Sequence, residues 1–189
     1  MPESDVTNAR PPVIGIVSGP PGAGKTTLAH ALATEIGVPA IIRDEIKQGM
    51  VARAEPTDAG YDDLDLPALH TFFEVLTVLA RGGVSAIAEA AFQDRLWRPN
   101  LLRLSAFAEL RIIHCAAPRQ VLHERIRHRA EHDPHRRAHN DAALVADGTR
   151  TVETFVPVRM DVAQMRVDTT NGYEPGLDAI ARFVSPGTA

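Results

Sequence analysis

Gly19-Pro20-Pro21-Gly22-Ala23-Gly24-Lys25-Thr26 fits the pattern G-x-x-x-x-G-K-[ST]. Its surroundings are those the pattern needs. Val13 to Ser18 ahead of it reads as a short, mostly apolar strand. Thr27 to Ile36 behind it holds good helix formers, with Leu28, Leu32 and Ile36 four apart. A strand, a glycine loop and a helix in that order make a phosphate cradle, because the loop amides and the helix N-terminus face one anion. Gly19 to Thr27 is therefore the expected nucleotide site. Lys25 is expected on the β- and γ-phosphates, and the Thr26 hydroxyl on Mg²⁺.

The rest of the chain alternates strand and helix. Val38–Ile42 reads as a strand, and a helix follows from about Asp44 to Arg53. Residues 54–67, with Pro56, Gly60, Pro67 and several acids, read as a loop. Leu69, Phe72, Phe73, Leu76, Leu79 and Ala80 fall at helical spacing, and Gly82-Gly83 ends that helix. Val84–Ala88 is the third strand and closes on Glu89. A helix over about 95–107 follows, with Pro99 expected in its first turn. Leu110–Cys115 is the fourth strand, and Pro118 opens a helix that runs to about Glu131. Gln164–Asp168 is the fifth strand, and Leu177–Phe183 the closing helix. The pattern predicts an α/β fold, a parallel sheet covered on both faces. Ligands then gather at the carboxyl ends of the strands, which collects the P-loop, Asp44, Glu89 and Asp168 at one edge.

The 189 residues suit one domain, expected over 13–185 after a flexible 1–12, with a lid at about 130–150. A net charge of −4 argues against a protein that works by coating nucleic acid. One cysteine, Cys115, in an apolar run suggests a core thiol and a reducing compartment. The polar start and the lack of a long apolar stretch lead to an expected cytoplasmic location and no membrane partner.

Phosphoryl transfer needs phosphate neutralisation, a metal and a group that orients the incoming oxygen. Asp44, just past the second strand, is the candidate for the last, and a helix N-cap is its alternative role. Glu89 is a candidate for metal support with Thr26, or a substrate-facing acid. Arg125 and Arg129 share a helix face and are candidates for clamping phosphates. Arg136 and Arg137 follow in a His-rich segment. His128, His132, His135 and His139 do not match the spacing of a zinc site.

These residues together resemble the P-loop kinases of the adenylate-kinase-like group. The closest resemblance is to small kinases related to polynucleotide 5′-kinase, chloramphenicol phosphotransferase and the zeta toxins. It runs from Val13 to Phe183. It implies a three-layer P-loop NTPase fold whose five-stranded sheet has the order 2-3-1-4-5. It implies that Asp44 activates the acceptor hydroxyl and that Lys47, three residues on, meets the substrate. Arg125-Ile126-Arg127-His128-Arg129 matches an R-I-x-x-R run. That match implies that Arg125 stacks on adenine and Arg129 meets phosphates, with the loop from Asp168 to Tyr173 beside the base. The implied activity is ATP- and Mg²⁺-dependent transfer to a small-molecule hydroxyl, with Lys25, Asp44 and Arg129 as catalytic residues. Tyr61, Asp58, Asp62, Asp63 and Asp65 border the expected acceptor side. A polynucleotide 5′-hydroxyl kinase, a toxin-like nucleotide-sugar kinase and a nucleotide-dependent regulatory module are the alternatives. The sequence names no protein partner.

Overall fold

The computed structural model describes residues 10–55, 57, 60–132 and 155–185. Its strands are β1 (Val13–Ser18), β2 (Ala40–Ile42), β3 (Ala86–Glu89), β4 (Glu109–Ala116) and β5 (Ala163–Asp168). Its helices are α1 (Lys25–Ile36), α2 (Arg43–Val51), α3 (Asp65–Arg81), α4 (Asp94–Leu104), α5 (Arg119–His132) and α6 (Leu177–Val184). All pairings are parallel, and the sheet order is β2-β3-β1-β4-β5. This is the α/β P-loop NTPase fold that the motif and its resemblance imply.

Burial follows from sheet position. All six residues of the central β1 are buried, as the run VIGIVS demands of a strand covered on both faces. The edge strand β5 exposes most of its residues, including Arg166 and Asp168. Ile14 and Ile16 pack with Phe72, Leu76, Phe92, Trp97 and Leu101 on one face of the sheet. Val17 packs with Leu28, Leu32, Ile113, Leu122, Ile180 and Val184 on the other. Phe72 and Phe92 meet the Trp97 ring with centroids 5.9 and 4.7 Å away, so one aromatic cluster joins α3, α4 and the loop after β3.

Several boundaries move. α1 begins at Lys25, two residues earlier than its apolar spacing suggests, because left-handed Gly24 (φ 70°) ends the loop directly at the helix. The expected loop over 54–67 is shorter. A 3₁₀ turn at Asp62–Leu64 leads into α3, which starts at Asp65 and takes Pro67 into its first turn, where a missing N–H costs nothing. Pro99 instead lies in the interior of α4, as its sixth residue, although the helix starts at Asp94, one residue from the expected place. The segment after residue 154 caps α4. Asp94 N donates to the Val156 carbonyl at 3.2 Å, and the Asp94 carboxylate accepts from Arg159 N at 2.8 Å. The expected lid falls almost wholly outside the described residues. No described helix is long and apolar enough to cross a membrane.

Phe72 is fully buried at the centre of the aromatic cluster. Phe72→Ala is expected to cost about 3–5 kcal/mol of stability. Urea unfolding should show a lowered midpoint with an unchanged slope.

Candidate active site

β1 runs into the loop Gly19–Gly24 with its backbone pressed against two neighbours. A Cβ on Gly22 (φ 78°) would stand 2.6 Å from the Leu122 carbonyl oxygen of α5. One on Gly19 would stand 2.5 Å from the Cys115 carbonyl oxygen of β4. Neither position tolerates a side chain, which is the physical reason for glycine at both. Ala23 N donates to the Pro20 carbonyl at 3.2 Å, closing a turn between the two glycines. The Lys25 ammonium donates to the same carbonyl at 3.1 Å, so the lysine folds back over the loop. Thr27 is exposed on the first turn of α1.

Thr26 and Glu89 meet. Thr26 Oγ1 donates to Glu89 Oε2 at 2.9 Å, across 63 residues of chain. Glu89 is 3% exposed, and a carboxylate so buried needs such a donor. The register explains the meeting: Glu89 lies beside Val17 of β1 on one side and Ile42 of β2 on the other. A hydroxyl and a carboxylate form a hard oxygen donor set, which fits Mg²⁺ held with retained waters. Among the described residues no group of three His, Cys, Asp or Glu could hold a metal by itself.

Asp44 follows Ile42 by two residues and stands in the first turn of α2. The alternative role as helix N-cap does not hold: Ile42 has that position, and no side chain caps the helix. Arg43 Nη1 donates to Asp44 Oδ1 at 3.3 Å. Arg43 Nη2 donates to the carboxylate of Asp65 and, at 3.2 Å, to its carbonyl. Lys47 Nζ bonds the same carboxylate at 2.9 Å and is 3% exposed. Burial alone would raise the Asp65 pKa. The hydrogen bonds from Lys47 and Arg43 outweigh it and hold the group below the usual carboxylate range. Asp65, half-exposed, is therefore tied to two cations, and Lys47 points at it. Asp62 and Asp63 are exposed, and Asp63 accepts from Thr57 Oγ1 at 2.9 Å. Asp58 lies outside the described residues.

Arg125 joins the P-loop to the loop after β5. Its Nη2 donates to the Thr169 and Thr170 carbonyls at 2.7 and 3.1 Å, and its Nη1 reaches the Gly22 carbonyl at 3.4 Å. Thr169 Oγ1 donates to the Ala23 carbonyl at 3.0 Å, and Thr169 N donates to the Ala116 carbonyl at 2.9 Å. Arg129 stands one turn further along α5, partly buried; Arg127 and His128 are exposed. Arg136, Arg137, His135 and His139 lie outside the described residues. The structure brings Glu89 to Thr26 and Arg125 to the P-loop. It gives a connecting role to two residues that the sequence set only in bordering loops: Thr169, in the loop from Asp168 to Tyr173, and Asp65, among the acids of the expected acceptor side. Their places were legible in the sequence; their partners were not.

Residues 14–153 match the family model described as "AAA domain". No curated protein matches the sequence. Among solved structures, the chain is similar to a candidate kinase from Chloroflexus aurantiacus J-10-fl. The two are 27% identical with a TM-score of 0.74, over 93% of this chain and 97% of that one. It also shares its fold with a sugar kinase from Janibacter sp. HTCC2649 (20% identity, TM-score 0.63, 94% and 97% covered). A gluconokinase from Sinorhizobium meliloti 1021 has the fold as well (23% identity, TM-score 0.54, 94% and 91% covered). These likenesses fix a kinase-like P-loop fold and select no subgroup within it.

Cys115 lies beneath the P-loop, and its thiol is pushed up to about 12. Burial is the main cause; the Lys25 ammonium lowers the value and the Glu89 carboxylate raises it. A thiol-reactive disulfide reagent at pH 8 should label the native protein slowly and the denatured protein stoichiometrically. The folded state holds the proton more tightly than the unfolded one. This contribution is therefore intact below pH 9.0 and is lost as pH rises toward 12. The slope is about 1.4 kcal/mol per pH unit, and Cys115→Ala should remove it from alkaline unfolding curves.

Proposed function

This chain belongs to the AAA-domain family, and on that premise we propose that it is an ATP-dependent kinase acting on a hydroxyl of a small molecule. One observation carries the reading. The parallel register sets the P-loop, Glu89 and the Asp44 turn on adjacent strand ends, with Thr26 already bonded to Glu89 at 2.9 Å. The likeness to a candidate kinase at 27% identity supports it.

The division of labour follows from the chemistry of each group. The amides from Gly19 to Gly24 and the N-terminus of α1 bind the phosphate chain. Lys25 exchanges its bond to the Pro20 carbonyl for phosphate oxygens and neutralises charge as the terminal phosphoryl group leaves ADP. Thr26 and Glu89 are the residues that would hold Mg²⁺, which supplies charge neutralisation between the outer phosphates. Asp44 accepts the proton of the acceptor hydroxyl as its oxygen bonds to phosphorus. Arg125 holds the base-side loop against the P-loop, and Arg129 lies on the same helix face for the phosphates. The exposed acids Asp62 and Asp63 beside the acceptor side disfavour a polynucleotide, whose phosphates they would repel.

The test is a panel of hydroxyl compounds incubated with Mg·ATP, read by ADP release and by mass gain of each compound. A phosphorylated small product supports the kinase reading. Turnover only with an oligonucleotide supports the 5′-hydroxyl kinase instead, and tight nucleotide binding with no phosphorylated product supports the regulatory module. Lys25→Ala should lower turnover by at least about 10²-fold. Asp44→Asn should lower kcat by about 10²–10⁴-fold while ATP affinity, measured by calorimetry, stays unchanged.

A further inference from the structure

We propose that the groove between α3 and α4 is a self-association surface, closed by a second copy of this chain around a two-fold axis. The proposal goes beyond the kinase reading and uses none of the residues on which that reading rests.

The sequence of α3 sets the problem. From Leu66 to Ala80, Glu74 is the only Asp, Glu, Lys or Arg. One stripe of the helix is accounted for, since Ala68, Leu69, Phe72, Leu76 and Ala80 are buried in the core. A helix with one buried stripe ordinarily carries charge on its other side. Here the other side presents Leu66 at 54% exposure and Val78 at 71%. A helix that is apolar nearly all round is suited to burial on more than one side, and apolar groups gathered on a surface mark a contact.

That outer side is also shaped. A groove of about 500 Å³ lies between α3 and α4, lined by Phe73 and Val78 among others. The half-buried Phe73 ring stands 5.4 Å from Phe72 and 5.7 Å from Trp97, so the groove rests on the aromatic cluster and is preformed. The Thr77 hydroxyl in its lining already donates to the Phe73 carbonyl at 2.7 Å. The two walls carry opposite charges, Glu74 on α3 and Arg103 on α4. Among the described residues neither takes part in an ion pair.

An occupant must therefore bring apolar surface, a cation for Glu74 and an acid for Arg103. The groove itself has all three. A two-fold rotation brings Glu74 of each copy to Arg103 of the other and lays the exposed apolar groups of the two copies together. One patch then serves as both sides of the contact, as an isologous interface requires. An apolar centre with charges matched across it is the usual anatomy of such interfaces.

Sedimentation equilibrium of the full chain without nucleotide tests this. Wild type should form a dimer. Val78→Asp places a charge where the apolar surfaces meet and should raise the dissociation constant at least about tenfold. Glu74→Arg sets arginine against Arg103 of the second copy, and Arg103→Glu sets glutamate against Glu74. Each alone should weaken the dimer at least about tenfold. An equimolar mixture of these two variants should recover wild-type association, because the mixed dimer has opposite charges at both contacts. All three side chains are exposed, so the circular dichroism of each variant should match wild type. A wild-type chain that stays monomeric over about 1–100 μM, a range that reaches weak specific complexes, overturns the proposal. A dimer that the three variants leave intact overturns it too, since the contact then lies elsewhere. So does a mixture no stronger than its components, since Glu74 and Arg103 then do not meet across the axis.

Discussion

A carboxylate buried at the edge of a sheet has to find a donor, and Glu89 finds it in the second residue of α1. That bond constrains most of the site. It ties the end of β3 to the start of the helix that follows the P-loop. The loop Gly19–Gly24 must then arch within a fixed gap, its backbone against Cys115 on one side and Leu122 on the other. Ser18 adds a second tie, donating to the Phe92 carbonyl at 3.3 Å, so the loop after β3 is anchored to the end of β1 as well. The apolar layers beneath bear on the same point: Phe92 is part of the aromatic cluster on one face, and Cys115 and Leu122 belong to the core on the other. The fold and the phosphate cradle are one construction.

The charged half of the site is built differently. Around the phosphate side, backbone groups do much of the work, and apart from Thr26 on Glu89 the side chains there bond to carbonyls: Lys25 to Pro20, Arg125 to Thr169 and Thr170, Thr169 to Ala23. Around Asp44, charged side chains meet charged side chains, with Arg43 and Lys47 both on Asp65. The first arrangement suits a ligand common to many proteins. The second can be retuned by exchanging single residues, which suits the acceptor side proposed for it.

Much of this was legible in the sequence because it is local. The P-loop declares itself within eight residues, and the strand before it and helix after it are adjacent in the chain. The strand ends followed from alternation, since parallel strands joined by helices bring their carboxyl ends to one edge. Connections between distant residues were not legible. Thr169 reaches back 146 residues to Ala23, and nothing in the composition around either marks the pair. Asp62, Asp63 and Asp65 are all exposed acids, and the sequence does not show that Asp65 alone of the three receives two cations. The resemblance to adenylate-kinase-like enzymes supplied the strand order, which alternation alone leaves open.

The outermost strands bear on how the protein behaves in a crowded solution. An open sheet edge is a template on which another chain can add itself. At one margin β2 has only three residues before the chain turns into α2, too few to recruit a partner. At the other, β5 carries Arg166 and Asp168 in exposed positions. An incoming strand would have to strip water from both charges. Growth by edge-to-edge aggregation is thereby opposed at both margins, while the rim between them, where the P-loop lies, carries no such guard.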